Sequence, residues 1–250
     1  MSSAPSAPLR DAVILAAGNG DRFRNSDHQS KLLHPVLGRP LILQTLETAA
    51  GAGITSLNIV LGYQADQVRD VIERHPMPGV TLRFVRNQDW DLENGVSALK
   101  ARDLCTADRF ALLMGDHLFE PSVLRRLLSL RVDAGDSVLA IDTATKDAAL
   151  ADEATKVRLA GDRIVAIGKH LKTWDALDTG LFVFTRALFD ALEEAIDVGE
   201  TTLSAGVQRL AACGVMRGAD TGASSWCDID TLEDVRTAES LFATAEPERA

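Results

Sequence analysis

A glycine turn followed by two spaced cations is the clearest chemical pattern in the chain. An apolar stretch at 13–17 leads into Gly18 and Gly20, and Arg22 and Lys31 follow. Glycine lets a chain turn sharply with its amide groups uncovered, and uncovered amides bind oxyanions. A guanidinium and an ammonium group beside them supply a forked contact and a point charge for phosphate. The pattern predicts a nucleoside triphosphate site, while an ordinary strand-to-loop turn explains the glycines alone equally well.

Three aspartates near predicted strand ends are candidate metal ligands. Asp116 follows an apolar strand predicted at 110–114, at the sheet edge where open α/β sheets bind ligands. Asp228 and Asp230 are two positions apart, so both point to one face of an extended segment. Magnesium on a triphosphate is held by one or two carboxylates, which predicts that these acids form its site. Turn or helix-capping roles are the competing interpretation for Asp116 and for Asp230.

A polar segment at 87–97 predicts a contact with a nucleotide base. Asn87, Asn94 and Ser97 can donate and accept hydrogen bonds, as the mixed edge of a pyrimidine requires. Gly95 would let the backbone approach the ring closely. The competing interpretation is a polar loop with a plain Asn-Gly turn, which composition alone favours.

A predicted hairpin and the strand after it carry three groups suited to an acceptor. Lys156 and Lys169 offer cations for a phosphate, and Asp178 can accept hydrogen bonds from hydroxyl groups. On these residues alone, a solvated hairpin with surface lysines is an equal alternative.

The elements that must position these residues alternate in the way of an α/β protein. Apolar patterns predict strands at 57–61, 80–85, 110–114 and 137–142, with helices at 40–52, 64–74, 96–104 and 121–130 between them. A hairpin at 156–159 and 163–167 follows, then a strand at 179–185, helices at 186–196 and 202–212, short strands at 215–216 and 226–229, and a helix at 232–244. Such alternation indicates a mostly parallel sheet covered on both faces.

Composition places the chain among single-domain globular enzymes. It has 250 residues, 46% of them hydrophobic, and a formal net charge of -10. A net acidic protein without a basic run is not expected to bind nucleic acid or an anionic membrane. We expect one domain at 10–245, with disordered tails at 1–9 and 246–250. Three unpatterned cysteines and the lack of a leader or spanning apolar run predict a reducing, cytoplasmic location.

Together the motifs resemble those of the nucleotidyltransferases that make activated sugars and alcohols, a Rossmann-like fold. The first run is similar to Leu-Ala-Ala-Gly-x-Gly-x-Arg with a lysine about ten residues on, although Ser30 stands where that family usually has proline and the segment 25–29 is polar. Met-Gly-Asp-His and Trp-Cys-Asp-Ile-Asp-Thr-x-Glu-Asp follow in the family's order. The resemblance implies catalytic roles for Arg22 and Lys31, and Mg²⁺ on Asp116, Asp230 and Asp228. It implies a nucleotide site formed by Leu15, Ala16, Ala17, Gly18, Asn19, Gly20, Asn87, Asn94, Gly95 and Ser97.

Four shorter motifs narrow the resemblance. Asn-Gly-x-Ser, Thr-Lys-Val, Ile-Gly-Lys and Asp-Thr-Gly-x-Phe are similar to those of the cytidylyltransferases of inositol 1-phosphate, and the likeness covers 12–239. It implies CTP and a small phosphorylated alcohol as substrates, with Lys156, Lys169 and Asp178 on the acceptor. No membrane-embedded alcohol phosphotransferase segment follows, which favours the stand-alone form, and a homodimer is one expectation for its assembly.

Other acceptors and a non-catalytic role are the alternatives. Phosphocholine, a phosphonate or a sugar 1-phosphate would keep the same chemistry. A choline cage needs aromatic side chains, and outside the acidic motif only Trp90 and Trp174 are available as tryptophans, with one tyrosine in the chain. A nucleotide sensor would have lost the metal acids or the lysine, which are present. His117 is better explained as a hydrogen-bond partner of Asp116 than as a base or ligand.

Overall fold

The computed structural model describes residues 9–23, 29–145, 153–220, 222 and 225–243. The helices are α1 (Leu41–Gly51), α2 (Ala65–Glu73), α3 (Asn94–Lys100), α4 (Pro121–Ser129), α5 (Ala187–Asp197), α6 (Leu203–Ala212) and α7 (Leu232–Phe242), with a 3-10 helix at Lys31–Leu33. The strands are β1 (Asp11–Ala16), β2 (Pro35–Val36), β3 (Arg39–Pro40), β4 (Ser56–Leu61), β5 (Thr81–Arg86), β6 (Arg109–Met114), β7 (His117–Phe119), β8 (Ser137–Asp142), β9 (Lys156–Ala160), β10 (Arg163–Gly168), β11 (Ala176–Thr185), β12 (Met216–Asp220) and β13 (Trp226–Asp228).

A mixed sheet organises these elements. Its strand order is β5-β4-β1-β6-β11-β8-β12-β10-β9, and β1 is parallel to both β4 and β6. Strand β11 runs antiparallel between β6 and β8, and β9 pairs with β11 as well as with β10. The α/β fold with a mixed sheet is thereby confirmed, but the sheet is not mostly parallel as expected, since four pairings among its described strands are parallel and five are antiparallel. The predicted hairpin is confirmed as β9 and β10.

Strand β1 shows why the apolar run was a reliable sign of a buried strand. Ala12, Ile14 and Ala16 face one hydrophobic cluster, while Val13 and Leu15 face another on the opposite side of the sheet. A strand with helices over both faces must be apolar at every position, because neither face meets water. The parallel strands therefore end together at one covered edge, where the glycine turn begins.

Four local features differ from the sequence-based expectations. Helix α3 was expected at 96–104 but spans Asn94–Lys100, so Gly95 lies in its first turn instead of in a loop. A Cβ at Gly95 would lie 2.6 Å from the carbonyl oxygen of Thr201, so close packing against that backbone requires glycine. Strand β11 begins at Ala176, three residues earlier than expected. The short pairs β2–β3 and β7–β13 were not predicted.

Some predictions concern residues that the structure does not describe. The tails at 1–9 and 246–250 lie outside the described residues except for Leu9, as do most of the polar segment 25–29 and position 244 of the last predicted helix. Within the described part of the chain, every helix is too short or too polar to traverse a lipid bilayer.

Candidate functional site

The glycine turn lies at the carboxyl end of β1, between the ends of β4 and β6. The carbonyl of Leu15 accepts a hydrogen bond from the Gly115 amide at 2.9 Å, which joins the turn to the segment after β6. Gly20 has a φ of 64°, and a Cβ there would lie 2.9 Å from Cδ of Lys31. Glycine at this position therefore leaves room for the lysine stem to pass under the turn.

Lys31 extends from the 3-10 helix into a pair of carboxylates. Its Nζ lies 2.8 Å from Oδ2 of Asp116 and 2.7 Å from Oδ1 of Asp230, and only 6% of its side chain is exposed. Burial opposes the charged ammonium, but Asp116, Asp230 and Asp228 outweigh this and raise the pKa of Lys31 above its ordinary value. Lys31 is therefore a permanent cation at the centre of the acidic group.

Arg22 forms the outer part of the same arrangement. Its guanidinium is about half exposed, pairs with Asp230 and lies 3.0 Å from Oε2 of Glu153. Asp230 thus contacts both cations, Arg22 at the surface and Lys31 beneath it. The two cations predicted from their spacing are brought together, nine positions apart in sequence.

His117 lies between two of the aspartates. Its Nδ1 is 3.0 Å from Oδ1 of Asp116 and 3.5 Å from Oδ1 of Asp228. Burial alone would lower the pKa of His117, but Asp228 and Asp116 raise it to about 9. Burial likewise opposes ionisation of Asp116, yet Lys31 and His117 hold the pKa of that carboxyl well below its usual range. Burial and the neighbouring carboxylates raise the pKa of Asp228 to about 6.

The acidic group has the chemistry of a divalent-cation site. Donor atoms of Asp116, His117 and Asp228 all lie within 4.8 Å of one another. Oδ1 of Asp228 is buried and accepts no hydrogen bond within the described residues, so this oxygen is available as a ligand. Magnesium prefers such oxygen ligands, so the residues fit it, and His117 serves by orienting Asp116.

Asp230 is held in place by the start of α7. Oδ2 of Asp234 accepts hydrogen bonds from the backbone amides of Asp230 at 3.0 Å and Thr231 at 2.7 Å. Thr231 returns a bond by accepting from the Asp234 amide, which completes a capping box. A helix N-terminus also favours nearby negative charge, so α7 stabilises the Asp230 carboxylate where it lies.

A cavity of about 300 Å³ opens beside these groups. Its walls come from the two halves of the chain that the sequence assigned to nucleotide and acceptor. Its lining includes Arg22, Asn94, Asp116, His117, Glu153, Lys169, Asp178, Gly180, Trp226, Asp228 and Asp230. Lys31 is not among the lining residues, because it lies beneath the carboxylates.

Two of the three predicted acceptor residues line the cavity. Asp178 accepts a hydrogen bond from the Gly180 amide at 2.8 Å, and burial raises its pKa to about 6. Lys169 is exposed and faces the same space. Lys156 is 8% exposed and donates to the Lys169 carbonyl at 3.2 Å, so it supports the segment that carries Lys169.

Of the three predicted base-binding side chains, one lines the cavity and two are buried away from it. Asn94 lines the cavity, and its Oδ1 accepts a hydrogen bond from the Leu203 amide at 2.8 Å. Asn87 and Ser97 are buried and bonded to each other at 3.0 Å, away from the cavity. A contact between these two side chains and a base stays a prediction.

Trp226 and Glu153 are among the cavity residues that were not predicted. Trp226 donates its indole N–H to Asp142 at 3.0 Å, and its ring stacks on His117 at 6.4 Å between centroids. The position of Trp226 two residues before Asp228 on a strand was a usable signal, since alternate side chains share a face. Glu153 stands in a stretch without any motif, and only its contact with Arg22 reveals it.

These features define a nucleoside triphosphate transferase domain, with a cation-rich glycine turn facing strand-end carboxylates. The chain belongs to the family of MobA-like NTP transferase domains, whose model matches residues 12–213. The resemblance noted in the sequence is thereby confirmed.

Individual relatives extend the likeness beyond that range. The chain is 35% identical over 235 residues to the bifunctional IPC transferase and DIPP synthase of Rubrobacter xylanophilus, covering 92% of this chain and 51% of that protein. It is 38% identical over 122 residues to the CMP-5'-(3-aminopropyl)phosphonate synthase of Streptomyces rubellomurinus, covering 48% of this chain and 19% of that protein. The chain spans about half the length of the bifunctional relatives that it matches.

A solved structure shares the whole fold. The inositol-1-phosphate CTP transferase from T. maritima superposes with a TM-score of 0.83 and 23% identity, over 96% of this chain and 99% of that one. At 23% identity this likeness shows the fold alone.

Proposed function

We propose that the protein transfers the cytidylyl group of CTP to a small alcohol phosphate, inositol 1-phosphate before others, giving CDP-inositol and pyrophosphate. One observation carries the proposal: a single cavity is lined by Arg22 and the metal-type carboxylates on one side and by Lys169 and Asp178 on the other. A nucleotide and a phosphorylated alcohol could therefore meet there. The likeness to the inositol-1-phosphate CTP transferase and to the IPC transferases supports the same choice.

On the nucleotide side, we assign the triphosphate to the turn at Gly18 and Gly20. Arg22 already faces the cavity, while Lys31 lies just below it. A triphosphate that enters would compete with Asp230 for both cations, because each is paired with that carboxylate in the free protein. Both charges would then offset the negative charge that develops on the departing pyrophosphate.

Magnesium is the metal we propose for Asp116 and Asp228, with Asp230 as the third acid. When bound there, it would neutralise charge on the triphosphate and help to align the α-phosphate. His117 holds Asp116 by its 3.0 Å contact and keeps one carboxylate oxygen turned toward it, which leaves the other for Lys31. Both oxygens of Asp116 thus face cations of the protein, and magnesium would share them with His117 and Lys31.

The reaction itself needs no general base. A phosphate monoester has a second pKa of about 6, so its oxygen is already a dianionic nucleophile near neutral pH. That oxygen forms a bond to the α-phosphorus, the bond from the α-phosphorus to the bridging oxygen breaks, and pyrophosphate leaves with the electron pair. The protein contributes alignment and charge, which is the main source of catalysis in such transfers.

On the acceptor side, we assign the phosphate to Lys169 and the polyol hydroxyls to Asp178. Asp178 can offer its Oδ2 to a hydroxyl, because its hydrogen bond from the Gly180 amide engages Oδ1. Trp226 offers an apolar ring beside them. Phosphonates are the second acceptor class to test, since 48% of this chain matches a CMP-5'-(3-aminopropyl)phosphonate synthase at 38% identity.

The free cysteines bear on the compartment. Cys105, Cys213 and Cys227 are unpaired, and Cys213 is exposed. We infer a reducing, cytoplasmic environment, because an exposed thiol persists where disulfides are kept reduced.

The deciding experiment measures pyrophosphate release from each nucleoside triphosphate with inositol, choline, sugar and phosphonate acceptors, with and without magnesium. We expect CTP and inositol 1-phosphate to give the highest kcat/KM, and EDTA to abolish it. Lys31→Ala should lower kcat by about a hundredfold with little change in the CTP dissociation constant. Lys172→Ala, an exposed lysine outside the cavity, is the matched control. Nucleotide binding without turnover on any acceptor would favour the sensor alternative and refute the transferase.

A further inference from the structure

Gln64 has a backbone conformation that is unfavourable for its residue type. Its φ and ψ are 49° and 36°, in the left-handed region that glycine and asparagine adopt more readily. It precedes α2, yet its side chain makes no capping bond to that helix. A strained residue persists when its surroundings favour it, so its side-chain contacts indicate what the strain accomplishes.

The side chain of Gln64 contacts the residue before Lys31. Its Oε1 accepts a hydrogen bond from the Ser30 amide at 2.7 Å. Ser30 in turn begins the 3-10 helix, since its carbonyl accepts from the Leu33 amide at 2.9 Å and its hydroxyl faces the Leu32 amide at 3.4 Å. This hydrogen bond spans 34 positions in sequence. It connects the start of α2 to the start of the 3-10 helix at Lys31–Leu33, which we call the lysine helix.

We infer that Gln64 is a positioning residue for Lys31, a role that rests on the function proposed above. Ser30 has a φ of -53°, within the range that a proline ring would enforce covalently, and an extended ψ of 134°. Serine has no such ring, so an external acceptor must hold its amide, and Gln64 supplies it. The lysine stem then leaves the backbone at the angle that brings Nζ between Asp116 and Asp230.

Burial explains why this restraint matters. Ser30 has no exposed surface, and Lys31 is nearly as buried, so a displaced backbone would carry a charge away from its two carboxylates without access to water. Without the Gln64 oxygen, the Ser30 amide would be an unsatisfied buried donor. Both penalties act on the same short helix.

The geometry predicts that a proline at position 30 and a glycine at position 64 each correct the fault that the other causes alone. In Ser30→Pro alone, the ring carbon bonded to nitrogen would occupy the place of the Gln64 oxygen, which lies 2.7 Å from that nitrogen. In Gln64→Gly alone, the left-handed backbone is retained without strain but the amide loses its acceptor. The double variant has neither fault, because proline fixes φ and needs no acceptor; like Ser30→Pro alone, it loses only the 3.4 Å contact of the Ser30 hydroxyl with the Leu32 amide.

The first measurement is hydrogen exchange at the Leu33 and His34 amides, which close the lysine helix. We expect each single variant to exchange at least about fivefold faster than the parent protein. The double variant should return to within about twofold of the parent. Because exchange needs no substrate, it decides the positioning role even if no acceptor supports turnover, in which case only the proposed function fails.

The second measurement is the kinetics of pyrophosphate release. Each single variant should lower kcat by about tenfold with a smaller change in KM for CTP, and the double variant should recover most of the loss. Gln67→Gly, an exposed position on the same helix, is the matched control and should leave kcat and exchange at 33–34 unchanged. Losses that multiply in the double variant, or equal losses in the control, would overturn the inference.

Discussion

Lys31 occupies a place that a metal ion would also seek. Its ammonium lies within 3 Å of one oxygen on each of Asp116 and Asp230, at 2.8 and 2.7 Å. The same two aspartates are candidate ligands for magnesium. In the free protein the lysine therefore neutralises charge that would otherwise attract a divalent cation.

Lys31→Met should bind a divalent cation more tightly than the parent protein does. Methionine fills the buried channel without a charge, so Asp116 and Asp230 would repel each other until a cation joins them. We expect the Mn²⁺ dissociation constant, measured by electron paramagnetic resonance without nucleotide, to fall by at least about tenfold. Lys169→Met should leave it unchanged. An unchanged or weaker affinity in Lys31→Met would show that lysine and metal do not compete for these oxygens.

Asp178 should make the stability of the protein depend on pH. Burial raises its pKa from 3.8 to about 6, so the folded state favours the protonated form. Its favourable contribution is complete below pH 3.8 and is lost as pH rises through about 6. Asp178→Asn lacks this loss and keeps the acceptor for the Gly180 amide. We expect it to exceed the parent protein in unfolding free energy by up to about 3 kcal/mol at pH 8 and to match it near pH 4.

Urea unfolding at several pH values measures that difference. Asp103→Asn changes an exposed aspartate and serves as the control, with no pH-dependent gain expected. A constant difference between Asp178→Asn and the parent from pH 4 to pH 8 would contradict the assignment of a raised pKa.

The sequence predicted that charged residues gather near the strand ends, but it did not predict which of them pair with one another. The spacing of Arg22 and Lys31 indicated a phosphate site, and Asp116 was placed correctly because it follows an apolar strand. No pattern in the sequence predicts that the Ser30 amide meets Gln64, since their proximity depends on how the elements after β1 and β4 pack. Hydrogen bonds between distant segments are set by tertiary structure, which single-sequence patterns do not encode.

At the level of elements, β11 is the strand that joins the acceptor side to the metal side. Its register against β8 shifts between Asp178 and Phe182, and Gly180 lies in that irregularity with a φ of 75°. A Cβ at Gly180 would be 2.6 Å from Cδ2 of His117. The bulge therefore lets the strand pass directly over the histidine that orients Asp116.

Gly180→Ala should destabilise the protein more than a glycine substitution at a comparable backbone angle. Gly161 has a φ of 64° in the turn of the β9–β10 hairpin, and a Cβ there meets nothing within 4 Å. Gly161→Ala therefore measures the cost of the backbone angle alone, about 1 kcal/mol. We expect Gly180→Ala to cost about 1–3 kcal/mol more by urea unfolding, because His117 must move. Equal costs would show that the contact with His117 is unimportant.

Elements whose apolar residues follow a single clear period were predicted almost to the residue. Elements whose first residues also suit a turn were not. Helix α4 and strand β8 match their expected ranges, since their apolar patterns are unbroken. Helix α3 was displaced because Asn94-Gly95 is typical of a turn. The packing of Gly95 against the backbone of Thr201 and Thr202 makes a helix start acceptable there, and that packing involves residues more than a hundred positions away.

At the scale of the whole molecule, substrate binding should stabilise the folded state. The cavity is walled by the segments after β1 and β6 and by residues of β11 and β13, so a bound substrate would contact all four. We expect CTP with magnesium at a hundred times its dissociation constant to stabilise the folded state by about 2.7 kcal/mol. Differential scanning fluorimetry with CTP alone, magnesium alone and both together measures this. An equal shift with CTP in excess EDTA would contradict a metal-dependent complex.

The strand order has a consequence for association between molecules. Strand β9 pairs with both β10 and β11, so that end of the sheet turns back on itself, whereas β5 ends the order among the described strands on the other side. A strand at the edge of a sheet leaves the amides and carbonyls of its outer side unpaired, and these can pair with a strand of another chain and cause aggregation. Here β5 carries Arg83 and Arg86, and Arg69 of α2 lies over Phe84 at 4.9 Å. Arg86 also pairs with Asp66, so charged side chains flank this edge of the described sheet, and we expect them to oppose pairing with the strands of neighbouring molecules.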